Sequence, residues 1–152
     1  MKSSAIYFAL ILFVASCNKH IAPTAEVTHL QTKEGVITVR STGYCQLKSY
    51  KDECIDAAQE TAFKTLFYRG IPGSQQNKPL ITIDEKSKEA NTKFLKDFFE
   101  AKRYKTFITA SVPVSEVVRQ QKQKKITVDI SINLTALRKD LEQSNTIPKF
   151  GY

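Results

Sequence analysis

Residues 126–134, ITVDISINL, alternate without a break: Ile126, Val128, Ile130, Ile132 and Leu134 are apolar, and Thr127, Asp129, Ser131 and Asn133 between them are polar. Successive side chains of a strand point to opposite faces, so this run reads as a strand with one face in the core and one in water. A strand written this way belongs to an antiparallel sheet, because strands of parallel sheets are covered on both faces and are apolar throughout. The rest of the chain must therefore supply partner strands and something to cover the apolar face.

The cover is written between residues 50 and 69. Cys54, Ile55, Ala58, Ala62, Phe63, Leu66 and Phe67 recur at helical spacing. Ser49 with Asp52 three positions on approximates a capping box. Arg69 closes the last turn, Gly70 stops the helix and Pro72 bars its continuation. The small alanines imply close packing of this helix on a sheet. Before it, Val36 to Cys45 is rich in β-branched residues and reads as a strand, with Gly43 marking a bulge or a close backbone approach. After it, Gly70 to Pro79 reads as a loop, Leu80 to Ile83 as a short strand, and Asp84 to Glu89 as a turn or helix start. Phe94, Leu95, Phe98 and Phe99 form a second helical stripe. Tyr104 to Val118 reads as one long strand, with Thr106, Ile108, Ala110 and Val112 on one face and Pro113 forcing a bulge or an edge position. Arg119 to Lys125 is a basic turn, and Thr135 is placed to cap a last short helix holding Ala136, Leu137 and Leu141. The expected fold class is α+β: a small antiparallel sheet with helices packed on one face.

The first residues have a different character. Met1-Lys2 is a short positive start, and Ala5 to Ala15 is an apolar run without charge. A bilayer span takes about 20 residues, so the run has instead the length of a signal-peptide core. Val14-Ala15-Ser16-Cys17 then resembles the bacterial lipobox: an aliphatic residue, two small residues that suit a tight protease site, and a cysteine whose thiol accepts lipid. An uncleaved anchor, or an ordinary signal peptide beside a chance cysteine, is the plainer alternative. The resemblance implies a signal peptide over 1–16, a lipidated tether over 17–33 that can end in a short extended piece, and a single α+β domain over 34–152. It also implies a diacylglyceryl group and a further acyl chain on Cys17. More than one chain is what makes such anchoring stable. Residue 18 is Asn rather than the aspartate of the family's inner-membrane retention signal. That implies the outer membrane, with the domain facing the periplasm. No cofactor is expected beyond this covalent lipid.

The full chain of 152 residues carries a formal charge of +8. In an envelope compartment the fitting partners are the membrane itself, other envelope proteins or peptidoglycan, and not nucleic acid. Part of this charge is concentrated in Arg119, Lys122, Lys124 and Lys125, which can be a solvated turn or a contact for a partner or an anion. Phe150 and Tyr152 put aromatic groups on the closing tail, where they can dock on their own domain or on a partner. Cys45 and Cys54 flank the expected strand-to-helix turn. An oxidising compartment permits a disulfide between them, and two buried thiols is the alternative.

Catalytic chemistry finds little support in the residue pattern. His20 and His29 fall in the expected tether, where no fixed geometry holds them. Asp52 and Glu53 suit a helix start, and Asp84 and Glu85 suit a turn. The chain has no phosphate-cradling glycine loop, no HExxH and no GxSxG. Two cysteines at this spacing match no zinc pattern. The expectation is a protein that is not an enzyme.

The glycine-bearing strand ending at Gly43-Tyr44, followed by the helix CIDAAQETAFKTLFYRG with Ala57, Ala58 and Ala62, and by a later hairpin, resembles two groups of small envelope domains. These are the LPP-type small outer-membrane lipoproteins and the N-terminal domain of flagellar assembly protein T. The resemblance covers residues 36–70 and, more loosely, 104–134; the closing segment LRKDLEQSNTIPKFGY falls outside it. By size, lipobox and a basic one-domain layout the chain is also similar to the small anchoring subunits of envelope-spanning secretion machines such as the type VI membrane complex. These resemblances imply a non-enzymatic adaptor or assembly subunit. A lipoprotein that binds a small ligand or the cell wall is the alternative. If Cys17 carries the anchor, Cys17→Ala moves the protein from the membrane pellet to the soluble fraction on cell fractionation; a variant that still sediments with membranes refutes the anchor.

Overall fold

A computed structural model of the chain describes residues 26–81 and 88–149. The lipobox, Cys17, His20, the pair Asp84 and Glu85, and the tail residues Phe150 and Tyr152 lie outside the described residues. The described chain runs β1 (Val27–Lys33), β2 (Val36–Gln46), α1 (Lys51–Tyr68), α2 (Lys88–Glu100), a 3-10 turn (Arg103–Phe107), β3 (Ile108–Pro113), β4 (Val118–Gln120), β5 (Gln123–Asn133) and α3 (Leu134–Gln143). All strands pair antiparallel in one five-stranded sheet of order β1-β2-β5-β3, with β4 also on β5. The fold is the α+β class read from the sequence.

The alternating run becomes β5 at the centre of the sheet. Its inner residues Ile126, Val128, Ile130 and Ile132 pair with Gly43, Ser41, Val39 and Ile37 of β2, and all are buried. The opposite face carries the polar partners. Thr38 and Ser131 share a hydrogen bond of 2.9 Å between their hydroxyls. Arg40, directly across from Asp129, holds both its carboxylate oxygens at 2.7 and 2.9 Å. That bond raises the Arg40 pKa above its ordinary value.

Helix α1 lies on the inner face. Cys54, Ala58, Ala62 and Leu66 form one buried i, i+4 row, and Gln59, Phe63 and Phe67 form the next. Gly43 is where strand and helix meet most closely: a Cβ there would stand 2.5 Å from the Cys54 carbonyl oxygen and 2.8 Å from Ala58 Cα. The Ser41 hydroxyl, buried beside this contact, donates to the Ala58 carbonyl at 2.7 Å. Cys45 and Cys54 are joined by a disulfide with their Cα atoms 5.0 Å apart, which ties the end of β2 to the start of α1. Closing so short a loop stabilises by about 2–3 kcal/mol on the chain-entropy view. Beyond α1, Phe98 of α2 packs on Phe63 and Phe67 with ring centroids 5.9 and 5.2 Å away, and Phe107 stacks on it at 5.9 Å. Tyr104 is buried among the same rings; burial first, then the charges of Asp56 and Glu60, pushes its hydroxyl pKa well up. Burial works against the Asp56 carboxylate, but hydrogen bonds and charge from Lys102 and Lys105 outweigh it and hold its pKa below the usual range.

Several expectations change. The tether does not extend to residue 33. Val27–Lys33 is an edge strand of the domain, so His29 sits in the sheet, with its Nε2 2.9 Å from the Thr32 hydroxyl. A bulge between His29 and Gln31 breaks the alternation that would have marked the strand and leaves Leu30 exposed. The long strand over 104–118 is instead a 3-10 turn, a six-residue strand and a separate short strand. Lys102, at φ 54°, turns the chain into the 3-10 segment, whose Tyr104 and Phe107 are buried three residues apart. Residues 80 and 81 form no strand; their N–H groups donate to the Leu66 and Phe67 carbonyls at 3.2 and 3.1 Å and satisfy the open end of α1. Helix α1 begins after Tyr50 without a side-chain cap. Helix α3 is capped by Asn133, whose Oδ1 accepts from the Ala136 N–H at 2.9 Å, and not by Thr135. The Leu134 N–H meanwhile donates to the Gly35 carbonyl in the β1–β2 turn.

Gly43→Ala forces a methyl group into the α1 backbone. It is expected to lower unfolding stability by roughly 2–3 kcal/mol in a denaturant titration. A loss under 0.5 kcal/mol, within the usual range for surface substitutions, would show that the helix lifts off the strand without cost.

Candidate functional site

Three surfaces of the described chain have chemistry that the core does not use. The first is the basic hairpin. Gln121, at φ 54°, and Lys122 turn β4 into β5. The register places Arg119 opposite Lys124 and Val118 opposite Lys125. Lys124 also pairs with Cys45, so it belongs to the face that carries α1. Lys125 pairs with Tyr44 on the opposite face. The four cations grouped by sequence are therefore divided by the pleat, with Lys122 at the tip between them. Lys124 is further committed: its Nζ donates to the Ser49 carbonyl at 2.8 Å and braces the entry to α1. Arg119 and Lys124 thus share one face and Lys125 takes the other, because alternate strand residues point to opposite faces.

The second surface is the outer face of the sheet. The α1, α2 and α3 core all lies on the inner face, and no described helix covers the outer one. Val112 pairs with Asp129, and the Val114 N–H donates to the Thr127 carbonyl at 2.9 Å. With Val118 opposite Lys125, three valines thus share outer-face register positions at the β3–β4 margin. They are 57, 44 and 53 % exposed. The neighbouring strand edge is blunted: Val112 and Val114 direct their N–H groups at β5, so Pro113 between them stands where an N–H would point away from the sheet, and proline has none. A partner would meet the face here rather than extend the ladder.

The third is a cleft of about 490 Å³ between the loop at residues 75–80 and the segment 147–149, with Arg138 of α3 at its base. Gln76, buried, ties the loop to α3: its Oε1 accepts from Arg138 Nη2, and its Nε2 donates to the Lys78 carbonyl at 2.5 Å. Arg138 Nε is buried and has no hydrogen-bond partner among the described residues. Sequence reasoning missed this cleft. Its walls come from segments some 62 residues apart, and no local spacing connects them.

Among the described residues no group of three or more His, Cys, Asp or Glu side chains could hold a metal ion, and no helix is long and apolar enough to cross a membrane. Comparison with family models, with curated proteins and with solved structures finds no match.

The division of the hairpin cations can be measured. Lys124→Ala removes a charged donor from a carbonyl and is expected to lower unfolding stability by about 1 kcal/mol, whereas Lys122→Ala leaves the thermal midpoint unchanged. Equal effects would mean that Lys124 is as loose as the turn tip.

Proposed function

We propose that this chain is a lipoprotein of the outer membrane, anchored through Cys17 and facing the periplasm, that works as a non-enzymatic adaptor in an envelope complex. The observation that carries this reading is the outer sheet face, where Val112, Val114 and Val118 stand exposed with no described helix over them. Exposed apolar groups gathered on one face are the usual mark of a protein contact. The centre of the same face is held by the bidentate pair of Arg40 and Asp129, which gives a partner a rigid polar surface beside the valines.

The lipobox resemblance supports the anchor. The start of β1 at Val27 also bears on reach, because it leaves residues 17–26 between the lipid and β1. Extended chain spans at most about 3.3–3.6 Å per residue, so a domain on this tether works within a few nanometres of the bilayer. Its partners then include membrane-proximal envelope proteins and, at that distance, peptidoglycan. The resemblance to small anchoring subunits of secretion machines agrees with such a position.

A photo-crosslinking amino acid placed at Val112 or Val118 is expected to capture a single large envelope protein from native membranes. The same group at Lys64, exposed on α1, is expected to capture none. Crosslinks of equal yield from both sites, or from neither, would remove the outer face as the docking surface.

A further inference from the structure

The Arg138 cleft has the makings of a ligand site that the adaptor role does not use, and none of its lining residues lies in the sheet. Three cations reach it, Lys78, Arg138 and Lys149, and no carboxylate is among the described residues that line it. Pro79, Leu80, Ile147 and Pro148 make the lining largely apolar by area, beside three side-chain amides. The cleft volume falls within the about 300–1,000 Å³ common for small-molecule sites.

Arg138 decides the chemistry. One Nη already donates to Gln76, so the guanidinium is held from one side. Its Nε–H is buried without an acceptor, a cost that a bound acceptor would relieve. The planar array of guanidinium N–H donors matches the two oxygens of a carboxylate. The body of the ligand follows from the walls. Pro79, Leu80, Ile147 and Pro148 suit a saturated chain, which needs no backbone partners.

We infer that the cleft between residues 75–80 and 147–149 binds an acyl carboxylate, with Arg138 gripping the carboxylate and Leu80 and Ile147 enclosing the chain. The inference does not depend on the adaptor reading, since the sheet face can fail as a docking surface while the cleft still binds.

The test uses the full chain in lipid nanodiscs with a diazirine-bearing analogue of dodecanoate, the adducts being located by peptide mass spectrometry. Adducts are expected to concentrate in the peptides spanning 75–80 and 147–149. Dodecanoate should compete and dodecanol should not. Arg138→Met should lower the yield at least tenfold, with Lys139→Met, exposed on the same helix, as the unaffected control. If Arg138→Met fails to melt cooperatively, Lys78→Gln takes its place, because Lys78 is exposed, and a several-fold loss is expected. Adducts scattered over the surface, equal competition by dodecanol, stronger competition by a short apolar peptide, or indifference to these substitutions would each overturn the inference.

Discussion

The backbone of α1 rests almost directly on β2, and most of the described structure depends on that contact. It is possible because position 43 has no side chain and positions 58 and 62 have the smallest ones. Ser41 bonds into the helix beside it, and the Cys45–Cys54 disulfide prevents the two elements from separating at their shared end. With α1 held this close, its larger residues Phe63, Leu66 and Phe67 project beyond the β2 contact and meet α2, the 3-10 turn and the loop that follows the helix. The aromatic half of the core is thus positioned by the small-residue half, and the close packing of both halves makes a single added methyl group costly.

A sheet covered on one face only has a second face to account for. Here the centre of that face is occupied by cross-strand pairs, Thr38 with Ser131 and Arg40 with Asp129, which need no cover. Its β3–β4 margin is different, because the valines there gain nothing from water. The blunted edge at Pro113 protects the margin from ladder extension while leaving the face itself open.

The basic character of the chain divides in the same way between structure and surface. Lys102 and Lys105 serve Asp56, Arg40 serves Asp129, Arg103 serves Asp140, and Lys124 serves a carbonyl at the start of α1. The cations of the Arg138 cleft are set apart by their surroundings: no carboxylate is among the described residues that line the cleft with them. The net charge therefore does not describe one basic patch; what a cation can do here depends on which neighbours the fold has placed within reach.

The sequence alone determined the class of the fold, the central strand, the main helix and the significance of Gly43, because each is written in local spacing or in a residue type that admits few explanations. It also carries Val14-Ala15-Ser16-Cys17, whose resemblance to a lipobox is the whole basis for the proposed anchor. The edge strand Val27–Lys33 was hidden by its bulge, and the split of the 104–118 segment was hidden by a run of alternating residues that continues through a 3-10 turn. Only the tertiary structure decided the surfaces. The four hairpin cations look like one cluster in the chain and are two faces in the sheet, because the pleat separates neighbours. The cleft is the reverse case: Gln76, Arg138 and Ile147 are distant in the chain and adjacent in space, because α3 folds back against the loop after α1. Local periodicity reports which face a residue takes; which distant residues share that face is settled only when the whole core closes.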